Sequence, residues 1–233
     1  MTEEQIDKVL QEASRSAPAL DPALLERVAE SLNSSLRPVR PLPPTWALTT
    51  GLTLICVLVA AMGAAKAGFF GIEKLSLGER LAIFSILAIL VWLAGSRFVG
   101  QLIPASRQRL PGGAFLTICC AVLAGLFALV FRDYHTDHFI AAGVACLLTG
   151  VLIAIPAALL SWVLLRRGFA LDPVAAGIAG GALAGLSGVT MLEFHCANFQ
   201  MLHMLVWHTA VVPVSAAIGA LAGYALRRRS NRT

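Results

Sequence analysis

The chain has 233 residues, of which 58% are hydrophobic and 13% charged, and its mean hydropathy is +0.78. A water-soluble domain carries about 25% charged and about 45–50% apolar residues, so this composition excludes a cytosolic globular enzyme, a disordered protein and a disulfide-rich secreted scaffold. The formal charge of +5 is read as membrane sidedness before nucleic-acid binding, because where the positive charges sit counts for more than their sum.

Residues 1–44 differ in kind from the rest. Residues 1–36 hold seven acids against Lys8, Arg15 and Arg27, a polar start that is not that of a cleavable signal peptide. Ile6, Val9, Leu10 and Ala13 recur at spacings of three and four and predict a first amphipathic helix, with Asp7 among its polar residues. Asp21-Pro22, a capping residue followed by proline at the first helical position, opens a second. That helix carries Leu24, Leu25, Val28, Leu32 and Leu36 along one stripe, with Glu26 and Glu30 among its polar residues. A stiff proline-rich spacer, 37–44, follows.

So short a segment cannot enclose its own core, and its apolar stripes require cover. Lipid suits poorly, since an interfacial helix at an anionic leaflet wants Lys and Arg on its polar face. A basic soluble protein suits better, taking the stripe into a groove and the carboxylates against its own Lys and Arg. The expected contacts are Ile6, Val9, Leu10, Leu24, Leu25, Val28 and Leu32, with Asp7, Glu26 and Glu30 supplying the charge.

An α-helical span needs about 20 mainly apolar residues. Six stretches qualify: 45–65, 81–99, 112–131, 139–165, 174–194 and 203–226. The fifth is mostly Ala and Gly and reads as a span enclosed by others. Gly177, Gly181 and Gly185 repeat at spacing four, as do Gly219 and Gly223, which lets helix backbones approach closely. Pro156 and Pro213 fall inside the fourth and sixth spans, where proline bends a helix. Lys66, Lys74, Arg80 and Arg132 lie on one side of these spans, and the other fourteen Lys and Arg lie on the opposite side. Residues 1–44 and the basic tail 227–233 are therefore expected in the cytoplasm. The expected fold is all-α: a polytopic six-helix membrane bundle with a short cytoplasmic N-terminal amphipathic segment.

None of the five cysteines (56, 119, 120, 146 and 196) forms a Cys-x-x-Cys pair, which speaks against a thiol oxidoreductase or zinc ribbon. Cys56, Cys119 and Cys120 fall inside spans, where a small apolar side chain needs no further role. With this sidedness Cys146, two turns into the fourth span, and Cys196, at the end of the fifth, can come near each other on the non-cytoplasmic side. All five histidines fall on that side too: His135, His138, His195, His203 and His208. Glu193-Phe194-His195-Cys196 followed by His203 and His208 gathers donors that suit Zn²⁺ or another soft ion. The candidate ligands are His195, Cys196, His203 and His208, for transient binding rather than a required cofactor. The plainer alternative is that these imidazoles keep wet tips at the interface. No catalytic order of residues and no phosphate-cradling loop is present, so no enzyme activity is expected.

Two runs then carry a resemblance. The first is Cys146-Leu-Leu…Ile155-Pro156-Ala…Leu164-Leu-Arg166-Arg167-Gly-Phe-Ala-Leu-Asp-Pro173. The second is Phe194-His195-Cys196…Trp207-His208…Gly219-Ala-Leu-Ala-Gly223. Together they resemble the NrsF-type negative regulators of extracytoplasmic-function (ECF) sigma factors. The resemblance departs at His208, where the family often has Tyr after the sixth-span Trp, and at Cys119-Cys120. It implies a bacterial inner-membrane anti-sigma factor that holds a cognate sigma factor and releases it on an envelope signal such as metal or oxidative stress. The family's paired cysteines map onto Cys146 and Cys196, which become the expected signal-sensing residues. The expected partners are an ECF sigma factor and the lipid bilayer, with no direct contact to nucleic acid. The competing function is a small-molecule or metal-ion transporter, which asks for mid-membrane ionisable groups and an alternating-access repeat; neither is visible.

Overall fold

The computed structural model describes residues 3–16, 21–35, 43–103, 110–168 and 170–230. Among them all the regular secondary structure is helical, with a single isolated bridge between Asp133 and Gln200. It divides into two compact units, Met1–Leu42 and Pro43–Thr233.

The first unit holds α1 (Glu3–Ser16) and α2 (Pro22–Ser35). The start of α2 follows from its sequence: the Asp21 carboxylate accepts the Ala23 N–H at 3.0 Å, and the Asp21 carbonyl accepts those of Leu24 and Leu25. Pro22 needs no partner there, because it has no N–H to satisfy. Ile6, Val9, Leu24, Leu25, Val28 and Leu32 are between 42% and 59% exposed, so both stripes lie on the surface of this unit. Asp7, Glu26 and Glu30 are exposed as well. The side chain of Leu10, and residues 36–42 with Leu36 and most of the spacer, lie outside the described residues.

The second unit contains α3 (Thr45–Ala67), α4 (Phe70–Lys74), α5 (Leu77–Leu102), α6 (Gly112–Val130), α7 (Phe139–Arg167) and α8 (Pro173–His195). A sixth long helix follows, built from α9 (Met201–His203), a π turn (Met204–His208) and α10 (Thr209–Ser230). Among the described residues six helices are long and apolar enough to cross a membrane, at the six expected places. The second begins at Leu77 rather than 81 because a capping box extends it past the apolar run. Ser76 Oγ accepts the Glu79 N–H, and Glu79 Oε2 accepts the Ser76 N–H at 2.7 Å, satisfying two otherwise orphaned donors. Helix α4 is too short for periodicity to reveal and was not expected.

Helix α8 is the axis of the bundle. Of its apolar window 83% is buried, against 22–44% for the other five, and α10, α7, α5 and α3 pack around it. Its glycines make this possible. A methyl group on Gly177 would meet the Gly219 carbonyl, one on Gly181 the Ser215 carbonyl, and one on Gly185 the Val212 Cα at 2.8 Å. On another face, a methyl on Gly188 would meet the Gly150 carbonyl of α7. Small residues thus bring backbones into direct contact, which supplies dispersion energy where lipid offers no hydrophobic drive. Ser187 Oγ donates to the Cys56 carbonyl of α3 at 2.8 Å, tying α8 to that helix also. Asp172 caps the start of α8 by accepting the N–H groups of Val174 and Ala175, with Pro173 at the first position.

These contacts fix the ends of the bundle. Gly223 of α10 lies against Pro173 of α8, Gly180 of α8 against Phe98 of α5, and Gly95 of α5 against Thr49 and Thr53 of α3, so the start of α3 and the end of α10 share one end. Gly71 of α4 lies against the carbonyls of Glu193, Phe194 and Cys196, which places the α8–α9 turn at the other.

Candidate functional site: a buried thiol and imidazole cluster

At the end of the bundle away from Thr45 and Ser230, three helices converge on a polar cluster. Cys146 comes from α7, Glu193 from the last turn of α8, and Cys196 from the residue that terminates α8. His203 immediately precedes the π turn and His208 is its last residue. The Cys146 and Cys196 sulfurs are 3.5 Å apart, and Cys196 Sγ lies 3.6 Å from His203 Nε2. The ligand atoms of Cys146, Cys196, His203 and His208 all fall within 4.8 Å of one another.

The π turn explains why the two histidines meet. On an α-helix, residues five apart point about 140° away from each other; a π turn, with its i→i+5 hydrogen bonding, brings such residues back into line. The rings of His203 and His208 are 5.4 Å apart, edge to face. Across the turn, His208 Nδ1 and Glu193 Oε1 form a hydrogen bond of 2.7 Å. Glu193, His203 and His208 are all fully buried and Cys196 nearly so, while Cys146 is half-buried. Phe127 of α6 closes edge-on over His208 at 6.2 Å, and α4 seals the α8 carbonyls from the side.

Three polar atoms here have no hydrogen-bond partner among the described residues: Glu193 Oε2, His203 Nδ1 and His208 Nε2. An orphaned buried polar atom is expensive; three in one cluster mark a site shaped by something other than packing.

The sequence-derived residues separate into two groups. Cys196, His203 and His208 are brought together, and Cys146 joins them. His195 is not part of the cluster and is corrected as a ligand candidate. Its Nδ1 bonds the Gly68 carbonyl at 3.2 Å and its ring packs on Phe70, because it points sideways off α8 toward the α3–α4 turn. The wet-interface alternative for His203 and His208 is also overturned, since both rings are 0% exposed. Glu193, placed by its position in sequence at the rim of its span, is enclosed instead. An acid in an otherwise uncharged span was the available signal for it. The π turn has no sequence signature, and Cys146 is separated from the other three by an entire helix.

The remaining histidines and cysteines stand apart. The exposed Asp133 carboxylate accepts both the His135 N–H and its ring Nδ1–H, the latter at 2.6 Å. This bond holds the carboxyl below its ordinary range and the imidazole above it. His138 sits in the left-handed region, φ 53°, at the start of α7. Cys56 and Cys119 are buried in the helix packing and Cys120 is half-buried.

Against known proteins, residues 32–228 match the family model NrsF, described as negative regulator of sigma F. The match spans well over half of the chain and takes in every residue of the cluster. Apart from Leu32, the residues expected to contact a partner lie ahead of it. No curated protein and no solved structure matches.

Proposed function

From a chain that belongs to the NrsF family, the negative regulators of sigma F, we propose a membrane-anchored anti-sigma factor of the ECF type whose grip is controlled from the opposite side of the bilayer. In this reading residues 1–44 and 227–233 face the cytoplasm of a bacterial inner membrane, and α1 and α2 hold the sigma factor. Ile6, Val9, Leu10, Leu24, Leu25, Val28 and Leu32 enter its groove, and Asp7, Glu26 and Glu30 meet its basic surface. The envelope signal, oxidant or metal, acts on Cys146 and Cys196.

The observation that carries this reading is the contact of two thiols fifty residues apart in sequence, 3.5 Å from each other, at the far end of the bundle from both Thr45 and Ser230. An oxidant that takes two electrons and two protons from the pair would join α7 to the end of α8. Helix α8 is gripped by glycine contacts over most of its length, so a shift at its end cannot be absorbed locally. A change of about 3 kcal/mol between two bundle states is enough to alter affinity by about 100-fold.

The test uses the full chain in lipid nanodiscs with the cognate sigma factor bound under reducing conditions. Diamide is expected to weaken the wild-type complex by at least about 10-fold, and Cys196→Ser to keep its grip under the same oxidant. Equal release from wild type and Cys196→Ser would overturn the sensing role.

A further inference from the structure

We propose that Cys146, Cys196, His203 and His208 form a tetrahedral binding site for a divalent soft metal ion of the Zn²⁺ class, with Glu193 as the carboxylate that orients His208. The proposal rests on the reading of the cluster as the outward, signal-receiving end, and it adds a ligand set and a geometry.

Spacing comes first. With Zn–S bonds near 2.3 Å and Zn–N bonds near 2.0 Å, neighbouring ligand atoms of a tetrahedron sit about 3.3–3.8 Å apart. The sulfur–sulfur separation of 3.5 Å and the sulfur–imidazole separation of 3.6 Å fall inside that window, and the whole set lies within 4.8 Å. Closing onto an ion needs movements of about 1 Å or less. The second observation is the orientation of His208. Its Nδ1 is taken by Glu193, which leaves Nε2, on the other side of the ring, buried and without a hydrogen-bond partner among the described residues, in a residue that gathers with Cys146, Cys196 and His203. A carboxylate behind an imidazole whose other nitrogen faces a metal is the recurring way of fixing tautomer and ring orientation at zinc. The third is the π turn, a local departure from α-helix found often at functional sites, which serves here to align His203 with His208.

Charge selects the ion. Two thiolates, the Glu193 carboxylate and two neutral imidazoles sum to −1 around a divalent cation and to −2 around a monovalent one, so the divalent ion leaves less charge to bury. Two thiols and two imidazoles also favour soft or borderline metals over Mg²⁺ or Ca²⁺, which want oxygen. On binding, each thiol gives up its proton to solvent.

The experiment titrates the full-length, reduced, metal-free chain in detergent with Co²⁺, then displaces it with Zn²⁺. One tetrahedral Co²⁺ per chain is expected, with intense visible d–d bands, sulfur charge transfer in the near ultraviolet and loss of both on adding Zn²⁺. His208→Ala and Cys146→Ser should weaken binding by at least about 100-fold, Glu193→Gln by about 10–100-fold, and His195→Ala should change nothing. Since buried substitutions can impair folding, X-ray absorption of the Zn²⁺-loaded wild type is the second readout, with two sulfurs and two nitrogens expected. An octahedral Co²⁺ spectrum, a zinc shell without sulfur, or full-strength binding by folded His208→Ala would overturn the site. Release of sigma by diamide with no tetrahedral Co²⁺ spectrum would overturn the metal site and leave thiol sensing standing. A tetrahedral site whose filling leaves sigma in place supports the metal site and counts against the sensing reading.

Discussion

Gly181→Ala is expected to destabilise the bundle by more than about 3 kcal/mol, whereas Gly51→Ala, a chemically identical change, should be neutral or stabilise it by up to about 1 kcal/mol. The difference lies in what the added carbon meets. At Gly181 it meets the Ser215 carbonyl and the Ala216 Cα, both backbone, and at Gly51 it finds nothing within 4 Å. A side chain in the way can change rotamer, but a helix backbone must move bodily. Moving α10 would separate Gly177 from Gly219 and Gly185 from Val212 as well, because all lie along one seam. The loss therefore exceeds the usual 1–3 kcal/mol for overpacking a core. Reversible unfolding of the detergent-solubilised chain, followed by circular dichroism over increasing SDS fraction, measures both variants. Equal stability of the two would mean that the α8–α10 contact is not the tight backbone seam described above.

A second large effect is expected on binding rather than on folding. Leu25→Asp combined with Val28→Asp should weaken capture of the sigma factor by at least about 100-fold and leave the melting of the bundle unchanged. Both side chains are about half exposed, so placing charge there removes little from the free chain. In a complex the same positions would put two carboxylates into an apolar groove, where losses of 2 kcal/mol or more per central residue are usual. Glu26→Lys with Glu30→Lys tests the electrostatic half of the contact. Those changes should mainly slow association and flatten its salt dependence, as rim charges do. Surface plasmon resonance on immobilised full-length chain separates the two effects. An unchanged off-rate for the double aspartate variant would mean the stripe on α2 is not the contact.

How much of this could be read from sequence depended on the range of the interaction. Each span was visible because hydropathy over about 20 residues is a local property. The Ala- and Gly-rich composition at 174–194 pointed to the enclosed helix, since a chain with so few large side chains has little to offer lipid. Asp21-Pro22 announced the start of α2 because a cap and its helix are adjacent in sequence. The cluster was legible only in part. Cys196, His203 and His208 lie close together in the chain, and their chemistry drew notice. His195 was drawn in with them by mere adjacency, yet one step along a helix turns a side chain by about 100°, which sends it to Gly68 instead. Span sidedness and the family resemblance paired Cys146 with Cys196, but its place beside the two histidines depended on how α7 crosses α8, and the seat of Glu193 on a π turn that delivers His208 to it. Hydropathy also understated α5, because Glu79 looks like a reason to stop a span when it is half of a capping box.

The proposed function requires α1 and α2 on one side of the membrane and the thiol–imidazole cluster on the other. Side-selective labelling tests it most directly, using a membrane-impermeant maleimide on intact cells and on permeabilised cells. The variants are Glu26→Cys on α2 and Asp137→Cys in the loop that precedes α7, each measured as labelling gained over the native chain. Asp137→Cys should react fully in intact cells, and Glu26→Cys only after permeabilisation. Reaction of Glu26→Cys in intact cells, or the same response from both positions, would contradict it.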